Sequence, residues 1–243
     1  MHDPDTQVLA LWEAGIQAPP AWRPARLLAV ERAGADPRRV EREPIGVRDA
    51  ALFRLRERLF GPQLDCVTDC PRCRVPLEFV VNVDMLRVDS SATSTTELVV
   101  SEEGVTARCR LPNTLDLAQV DPTTLPEEQE RWLLDRCVLA VEISGQPAGT
   151  DHLPPSIVPR INAALAAADP QADVQLQMQC PDCGAQWDAG FDIGAFLWSE
   201  IQARASRLLR EIHELAGAYG WSEPQILSLS PLRRRAYLEM VRA

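Results

Sequence analysis

The chain has 243 residues, of which 46% are hydrophobic and 25% are charged, proportions that are ordinary for a folded globular protein and exclude wholesale disorder. Its formal net charge at pH 7 is −10 and its pI is near 4.9. This acidic balance argues against nucleic-acid binding, which normally needs a basic surface.

The N-terminal region, residues 1–63, is predicted to contain short helices separated by prolines. A helical pattern at residues 8–12 is followed by three prolines between positions 19 and 24, which forbid one continuous helix. The best-defined helix covers residues 47–60, carries apolar residues at helical spacing, and ends before Gly61.

Residues 64–89 are predicted to form a β-hairpin around a Cys-Pro-Arg-Cys sequence at Cys70–Cys73. A strand pattern begins at Leu64, and the apolar residues alternate again after the second cysteine, from Leu77 to Val83. The Ser/Thr-rich sequence DSSATSTTE that follows is interpreted as a linker.

Residues 90–172 are predicted to be an insertion that mixes a β-hairpin with helices. The hairpin covers residues 98–111 and turns at Glu102-Glu103-Gly104. Asn113 or Thr114 is expected to cap the first helix. The predicted helices cover residues 115–120, 126–143 and 155–168.

A second hairpin is predicted at residues 173–193, around the Cys-Pro-Asp-Cys sequence Cys180–Cys183. In the segment DVQLQMQC, apolar residues alternate with glutamines, which is typical of a strand with one face on a core and one in water. Gly184 follows the second cysteine, where a left-handed residue is useful.

The C-terminal region, residues 194–243, is predicted to be helical. An apolar stripe runs from Leu197 to Tyr219, and Gly220 ends that helix. Ser222 is a predicted N-cap with Gln225 three residues later, and Trp221 is positioned to pack on Ile226.

A final helix is predicted to begin at Ser230-Pro231, with Leu232, Leu238 and Val241 facing inward and the cluster Arg233–Arg235 on a solvated face. The aromatic residues of this region have two open interpretations. Trp198, Tyr219 and Trp221 are either anchors of a protein interface or residues that pack the helices together.

The two Cys-Pro-x-Cys sequences predict a metal site. No signal peptide and no apolar run of about 18 residues is visible, so we expect a cytoplasmic protein without a membrane span. In that compartment, paired CxxC sequences indicate metal or redox sites more often than disulfides. The sequence predicts one structural Zn2+ held by Cys70, Cys73, Cys180 and Cys183, in a zinc ribbon split by more than a hundred residues.

Other interpretations of the cysteines stay open. A thioredoxin-like redox pair would need its first cysteine at a helix N-terminus, and neither motif is followed by a helical pattern. The four cysteines are otherwise free thiols in the core. Cys66 is a rival ligand because it lies four residues before Cys70, whereas Cys109 and Cys137 are expected to be small buried hydrophobes.

The chain is predicted not to be an enzyme, and no catalytic residue is assigned. Four thiolates leave no open position on the zinc for water or substrate. The chain has three histidines, His2 at a terminus, His152 in a loop and His213 on a helix where packing or an interface is expected. Phosphate-binding loops, dinucleotide-binding glycine motifs, nucleophile elbows and HExxH sequences are absent from the sequence.

The C-terminal sequence contains AYGWSE-x-x-IL-x-LS-x-x-RR-x-x-YL ending at Leu238 and DIxxFLWxEI at Asp192–Ile201, in addition to the CPxC pairs. With these motifs it resembles the baseplate hub assembly chaperone family of T-even-type contractile-tailed phages and related contractile injection systems. The resemblance is strong only over residues 180–240. It implies a non-catalytic role in baseplate or hub assembly, with baseplate or hub proteins as partners.

The sequence therefore predicts an α+β fold with a split zinc ribbon, an inserted region and a helical C-terminal region. The expected function is that of a zinc-stabilised assembly chaperone or component of a contractile tail baseplate. If the protein is a component, it is expected to be incorporated in a tail-like particle. The alternative is a zinc-ribbon adaptor in nucleic-acid-associated machinery, which the acidic charge balance opposes.

Overall fold

The computed structural model describes residues 4–33, 35–88 and 97–242. It is mixed α/β with a helical C-terminal region, which confirms that part of the predicted fold class. The chain divides into two compact units, one formed by Met1–Gly34 with Gly194–Ala243 and the other by Ala35–Ile193. His2 and the predicted Ser/Thr-rich linker, apart from Glu97, lie outside the described residues. The finer division into an N-terminal segment, a split ribbon and an insertion stays a prediction.

The α-helices in the described ranges are α1 (Pro4–Ile16), α2 (Arg23–Glu31), α3 (Pro37–Val40), α4 (Ile45–Phe60), α5 (Val83–Leu86), α6 (Thr114–Leu117), α7 (Pro126–Cys137), α8 (Val158–Ala168), α9 (Ile193–Tyr219), α10 (Glu223–Leu227) and α11 (Pro231–Arg242). The strands are β1 (Gln63–Asp69), β2 (Pro76–Asn82), β3 (Glu97–Glu102), β4 (Val105–Arg110), β5 (Val138–Ile143), β6 (Gln146–Ala148), β7 (Gln175–Gln179) and β8 (Gln186–Gly190).

Trp198 of α9 belongs to the core of the first unit, with 6% of its surface exposed. Gly15 makes room for it, because a Cβ at that position would overlap the indole ring. The guanidinium of Arg23 lies 4.9 Å from the ring centroid, a cation–π arrangement. The interface interpretation of Trp198 is therefore wrong, and the packing interpretation is confirmed.

A buried ion-pair network in the same unit centres on Arg234, which is only 1% exposed. Arg234 pairs with Asp5 of α1 and, at 3.3 Å, with Glu211 of α9. Arg204 also reaches Asp5, at 2.6 Å. The prediction of a solvated arginine cluster is wrong for Arg234, because two acidic residues from distant parts of the chain compensate its buried charge.

The helix boundaries at the C-terminus follow the predicted capping pattern. Gly220 ends α9 with a φ of 69°, which favours glycine. The side-chain oxygen of Gln225 accepts hydrogen bonds from the N–H and the hydroxyl of Ser222. In α11 Leu238 is buried as predicted, but Leu232 is 79% exposed and Val241 38% exposed, so their predicted inward orientation is wrong.

Three aromatic rings pack together beside the α9–α10 turn. The rings of Tyr219 and Trp221 are stacked with centroids 4.6 Å apart, and Tyr237 meets Trp221 edge to face at 4.9 Å. Tyr219 is still 39% exposed. These residues therefore hold α9 and α11 together while part of their surface stays accessible.

The second unit contains a four-stranded antiparallel sheet in the order β3-β4-β5-β6. The predicted hairpin is confirmed as β3–β4, and its turn at Glu103 and Gly104 uses positive φ angles of 46° and 80°. Asn113 caps α6 by accepting hydrogen bonds from the first-turn N–H groups. Ile157, just before α8, and Ile161, within α8, join the buried face of the sheet.

The predicted helix at residues 126–143 is wrong over its last third, because α7 ends at Cys137 and the chain continues as β5. Val138 and Val141 are three residues apart, which suits one face of a helix, and a bulge in the β4–β5 register between Arg108 and Cys109 lets both face the same side of the strand. In the structure they pair with β4, opposite Cys109 and Ala107, and are buried against it. Tertiary pairing of this β-branched segment overrides the helical pattern.

Helix α4 begins at a close backbone contact with the segment before β7. The N–H of Gly46 donates to the carboxylate of Asp169 at 2.8 Å, and a Cβ on Gly46 would overlap that carboxylate. Farther along α4, Phe53 stacks on Phe191 with centroids 6.0 Å apart. Helix α4 thus contacts the residues on both sides of the β7–β8 hairpin.

Candidate metal centre

Each Cys-Pro-x-Cys sequence forms the tip of an antiparallel hairpin, β1–β2 for the first and β7–β8 for the second. The two tips share one backbone pattern. Cys70 N–H donates to Val75 O at 3.0 Å, and Cys180 N–H donates to Ala185 O at 2.9 Å. Both turns therefore hold their cysteines in equivalent positions.

The residue after the second cysteine of each turn adopts a left-handed conformation. Gly184 has a φ of 68°, and Arg74 occupies the same place in the first turn with a φ of 61°. Each donates its N–H to the carbonyl of the first cysteine in its turn, at 3.0 Å and 2.9 Å respectively. The strained conformation of Arg74 was not predicted, although the position of Gly184 in the second motif carried that signal.

The two tips meet, and their four sulfur atoms all lie within 4.8 Å of one another. Cys70 Sγ lies 3.6 Å from Cys183 Sγ, and Cys73 Sγ lies 3.6 Å from Cys180 Sγ. The first cysteine of each hairpin thus faces the second cysteine of the other. The four predicted ligand residues are brought together although the two motifs are far apart in sequence.

The donor set and its dimensions fit a tetrahedral thiolate site. Zinc–thiolate bonds of about 2.3 Å place the sulfur atoms of a regular tetrahedron about 3.8 Å apart. The two 3.6 Å separations are close to that value and much longer than a disulfide bond. Cys70 and Cys180 are buried, whereas Cys73 is exposed and Cys183 is intermediate. The arrangement can hold one metal ion with a preference for sulfur ligands.

The protein surroundings favour a thiolate at Cys70. The backbone N–H of Cys73, assisted by that of Arg72 and by neighbouring thiols, lowers the pKa of Cys70 to about 6. At Cys73 the N–H of Val75 acts to lower the pKa, but partial loss of solvent around the sulfur and hydrogen bonds with the neighbouring thiols outweigh it and raise the pKa to about 12. The protein thus favours the thiolate at Cys70 and disfavours it at Cys73, and binding of a metal would require both thiols to lose their protons.

Gln171 links the chain segments that carry the two hairpins. Its buried side chain accepts from the N–H of Val88 at 2.7 Å and donates to Leu86 O at 3.1 Å. Val88 and Leu86 follow the first hairpin, and Gln171 precedes the second. The role of Gln171 was not predicted from the sequence, because hydrogen-bond partners more than eighty positions away leave no local sequence pattern.

The remaining cysteines lie outside the four-sulfur group. Cys66 is buried, is not a member of that group, and directs its thiol to Leu64 O at 3.7 Å. Cys109 and Cys137 are buried as predicted, and burial raises the pKa of both thiols, that of Cys137 to about 12. His152 and His213 are exposed, and neither belongs to a group of metal-ligating residues among those the structure describes.

The model of a protein family described as T4 bacteriophage base plate protein matches residues 33–198. The chain belongs to this base plate protein family. The match contains all four clustered cysteines and both hairpins. It ends before most of α9, so the C-terminal stretch in which the resemblance to hub assembly chaperones is strongest lies largely beyond it.

No curated protein and no solved structure was found to match this member of the base plate family. In the described part of the chain, no helix combines the length and the apolar character that crossing a membrane requires. The family match confirms the predicted association with baseplates, and it makes other baseplate proteins the expected partners.

Proposed function

We propose that this protein is a non-enzymatic assembly factor or structural component of the baseplate or hub of a contractile phage tail or contractile injection system, stabilised by one structural Zn2+. The observation that carries the proposal is the base plate family match over residues 33–198. That match includes the four clustered cysteines, so the proposed metal centre lies within the part of the chain that matches the family.

The zinc part of the proposal rests on the donor set. Four cysteine sulfurs from two hairpins form a closed coordination set, with Cys70, Cys73, Cys180 and Cys183 as ligands. When bound, the ion would cross-link β1–β2 to β7–β8 and supply folding free energy. A closed set offers no position for water or substrate, which supports a structural role over a catalytic one.

The hub assembly chaperone role is the finer part of the proposal. It is supported by the resemblance of the sequence from Tyr219 to Leu238, and by the partly exposed Tyr219–Trp221–Tyr237 cluster that this sequence forms. Tyrosine and tryptophan are frequent anchors of protein interfaces. A helical region with accessible aromatic rings fits a protein that contacts other baseplate proteins.

The metal is tested by elemental analysis of the purified full-length protein. We expect about one zinc per chain in the wild type, none in Cys180→Ser, and a full complement in Cys66→Ala, which changes a buried cysteine outside the group. Well under one zinc per chain in freshly purified wild type would refute the structural zinc. Zinc held by Cys180→Ser as tightly as by the wild type, measured by competition with a chelator, would refute the ligand assignment.

The assembly role is tested by deleting the gene from its phage or injection system and imaging the particles by electron microscopy. We expect tails without complete baseplates, restored by the wild-type gene. Mass spectrometry of finished wild-type particles then separates a component, which is present in them, from a chaperone, which is absent. Normal particles from the deletion strain would refute both roles.

A further inference from the structure

A cleft of about 720 Å³ lies between α9 and α11. One wall carries arginine and glutamate residues of α9 and the other carries Pro231, Leu238 and charged residues of α11. The lining includes five arginines and three glutamates, so its formal charge is positive in a chain whose net charge is −10. The size is within the range of pockets that bind small molecules or short peptide segments.

The glutamates of the cleft are all paired with arginines. Glu214 receives two hydrogen bonds from Arg242, at 2.9 and 3.0 Å, and these lower the pKa of its carboxyl group. Glu239 pairs with Arg235 at 3.2 Å. Glu211 is engaged by the buried Arg234, as described above. The negative charges of the lining are therefore already compensated within the protein.

Arg207 and Arg210 are the two lining arginines left without such a partner. Both are exposed, and among residues 4–33, 35–88 and 97–242 the structure gives neither of them an ion pair. Arg207 precedes Glu211 by four positions, and Arg210 precedes Glu214 by four, a spacing at which ion pairs form along a helix. Helix α11 takes the hydrogen bonds of both glutamates through its own arginines, which leaves Arg207 and Arg210 without an ion pair of their own. Arg210 adds only a smaller electrostatic contribution, after that of Arg242, to the lowered pKa of Glu214.

We propose that this cleft binds an acidic segment of a partner polypeptide, whose carboxylates are held by Arg207 and Arg210. Guanidinium groups present a planar fork of donors that matches a carboxylate. Pro231, which is exposed at the edge of the cleft, supplies apolar surface against which the backbone of the segment can lie. Because a single exposed ion pair contributes little, several acidic residues are required.

The inference deepens the proposed assembly role by giving the chemistry of the partner, and it rests on that role only for the partner's place in a baseplate. The metal centre is not involved. The test therefore uses purified full-length protein carrying its metal and a defined probe, so that its outcome is independent of zinc content and of particle assembly.

The probe is a fluorescein-labelled peptide of about twelve residues in which glutamates alternate with serine and leucine. Binding is followed by fluorescence anisotropy. The buffer has low salt, because charge interactions are screened least there. We expect saturable binding that weakens as salt is added. Arg207→Glu/Arg210→Glu should weaken it by about tenfold or more, which corresponds to about 1.4 kcal/mol. Both side chains are exposed, so the fold should be kept, as circular dichroism would verify.

The matched control is Arg38→Glu/Arg39→Glu, which changes the net charge equally at two exposed arginines that do not line the cleft. It should bind the peptide nearly as well as the wild type. A second variant, Glu214→Gln, removes a competing carboxylate and should bind the peptide more tightly. Equal weakening by both charge reversals would show non-specific attraction and overturn the proposal, as would absence of binding by the wild type.

Binding of a single-stranded oligonucleotide is measured in the same assay, to test whether the cleft prefers nucleic acid to the acidic peptide. If the oligonucleotide binds more tightly than the peptide and loses that binding in Arg207→Glu/Arg210→Glu, the cleft is a nucleic-acid site and the proposal is wrong. Peptide binding that survives an excess of the oligonucleotide supports it. Failure of the peptide assay while zinc and particle assembly behave as expected would remove this inference alone.

Discussion

The two cysteine hairpins share their turn chemistry but differ in how they are attached to the second unit. The β1–β2 hairpin pairs seven residues on each strand and buries Leu64, Cys66 and Val81 along its length. The β7–β8 hairpin pairs five, and every residue in its strands is half-buried or exposed. It is attached at its base, through Phe191 on Phe53, and at its tip, through the sulfur group.

This difference predicts that the two cysteine turns depend on the proposed metal ion to different degrees. The first hairpin is held by hydrophobic burial as well as by its cysteines. The second has little apolar burial in its strands, so a larger share of its local stability should come from the ion. Four changes test this comparison, beginning with the one expected to have the largest effect.

Removing the metal should affect the second hairpin most. After a chelator strips the wild type, or in Cys180→Ser, we expect amide protection in β7–β8 to fall by at least about tenfold more than in β1–β2, because only the first hairpin keeps a buried face. Hydrogen–deuterium exchange read by mass spectrometry measures both hairpins in one experiment.

Cys66→Ala, which retains all four sulfurs of the group, is the control for that experiment. It should leave the protection of β7–β8 unchanged. Equal loss of protection in the two hairpins on metal removal would show that the comparison is wrong and that the unit opens as a whole.

The second change compares the loss of an apolar side chain in the first hairpin with the same kind of loss in the second. Leu64→Ala removes a fully buried side chain from the first hairpin and should lower the free energy of unfolding by about 2–5 kcal/mol. Met178→Ala in the half-buried face of the second hairpin should cost only about 1 kcal/mol. Urea unfolding of the zinc-loaded proteins gives both values, and a larger loss for Met178→Ala would contradict the assignment of the core contacts.

The third change breaks the link between the segments that carry the two hairpins. Gln171→Ala removes the acceptor for Val88 N–H and the donor to Leu86 O, and should cost about 1–2 kcal/mol. Zinc affinity, measured by competition with a chelator, should fall as well because the hairpins are less well positioned. Gln177→Ala, on the exposed face of β7, should change neither quantity.

The smallest effects are expected at the matched left-handed positions. Arg74→Gly relieves a positive φ of 61° and should stabilise the protein by up to about 1 kcal/mol. Gly184→Ala imposes the same strain at a φ of 68° and should destabilise it by about 1 kcal/mol, since no atom lies within 4 Å of the new Cβ and strain is the only cost. Thermal melts of the zinc-loaded proteins compare the two, and effects of the same sign would contradict the equivalence of the turns.

Local patterns predicted much of the fold and most of the candidate site. Alternating apolar residues identified the strands beside Cys70 and Cys180, and the Ser222–Gln225 pair located the start of α10. The four clustered cysteines were chosen by motif and context alone. These features share one property, which is that each depends on residues within a few positions of one another.

The sequence by itself thus determined the hairpins, the helical C-terminal region and the choice of cysteines, since backbone periodicity and turn chemistry act over short distances. Only the tertiary structure decided that Val138–Ile143 is a strand, that Arg234 is buried, and that Gln171 joins the two hairpin segments. It also placed the two Cys-Pro-x-Cys turns against each other. Each of these outcomes depends on a partner far along the chain, and the energy of such a contact exists only once the fold has brought the partner within reach.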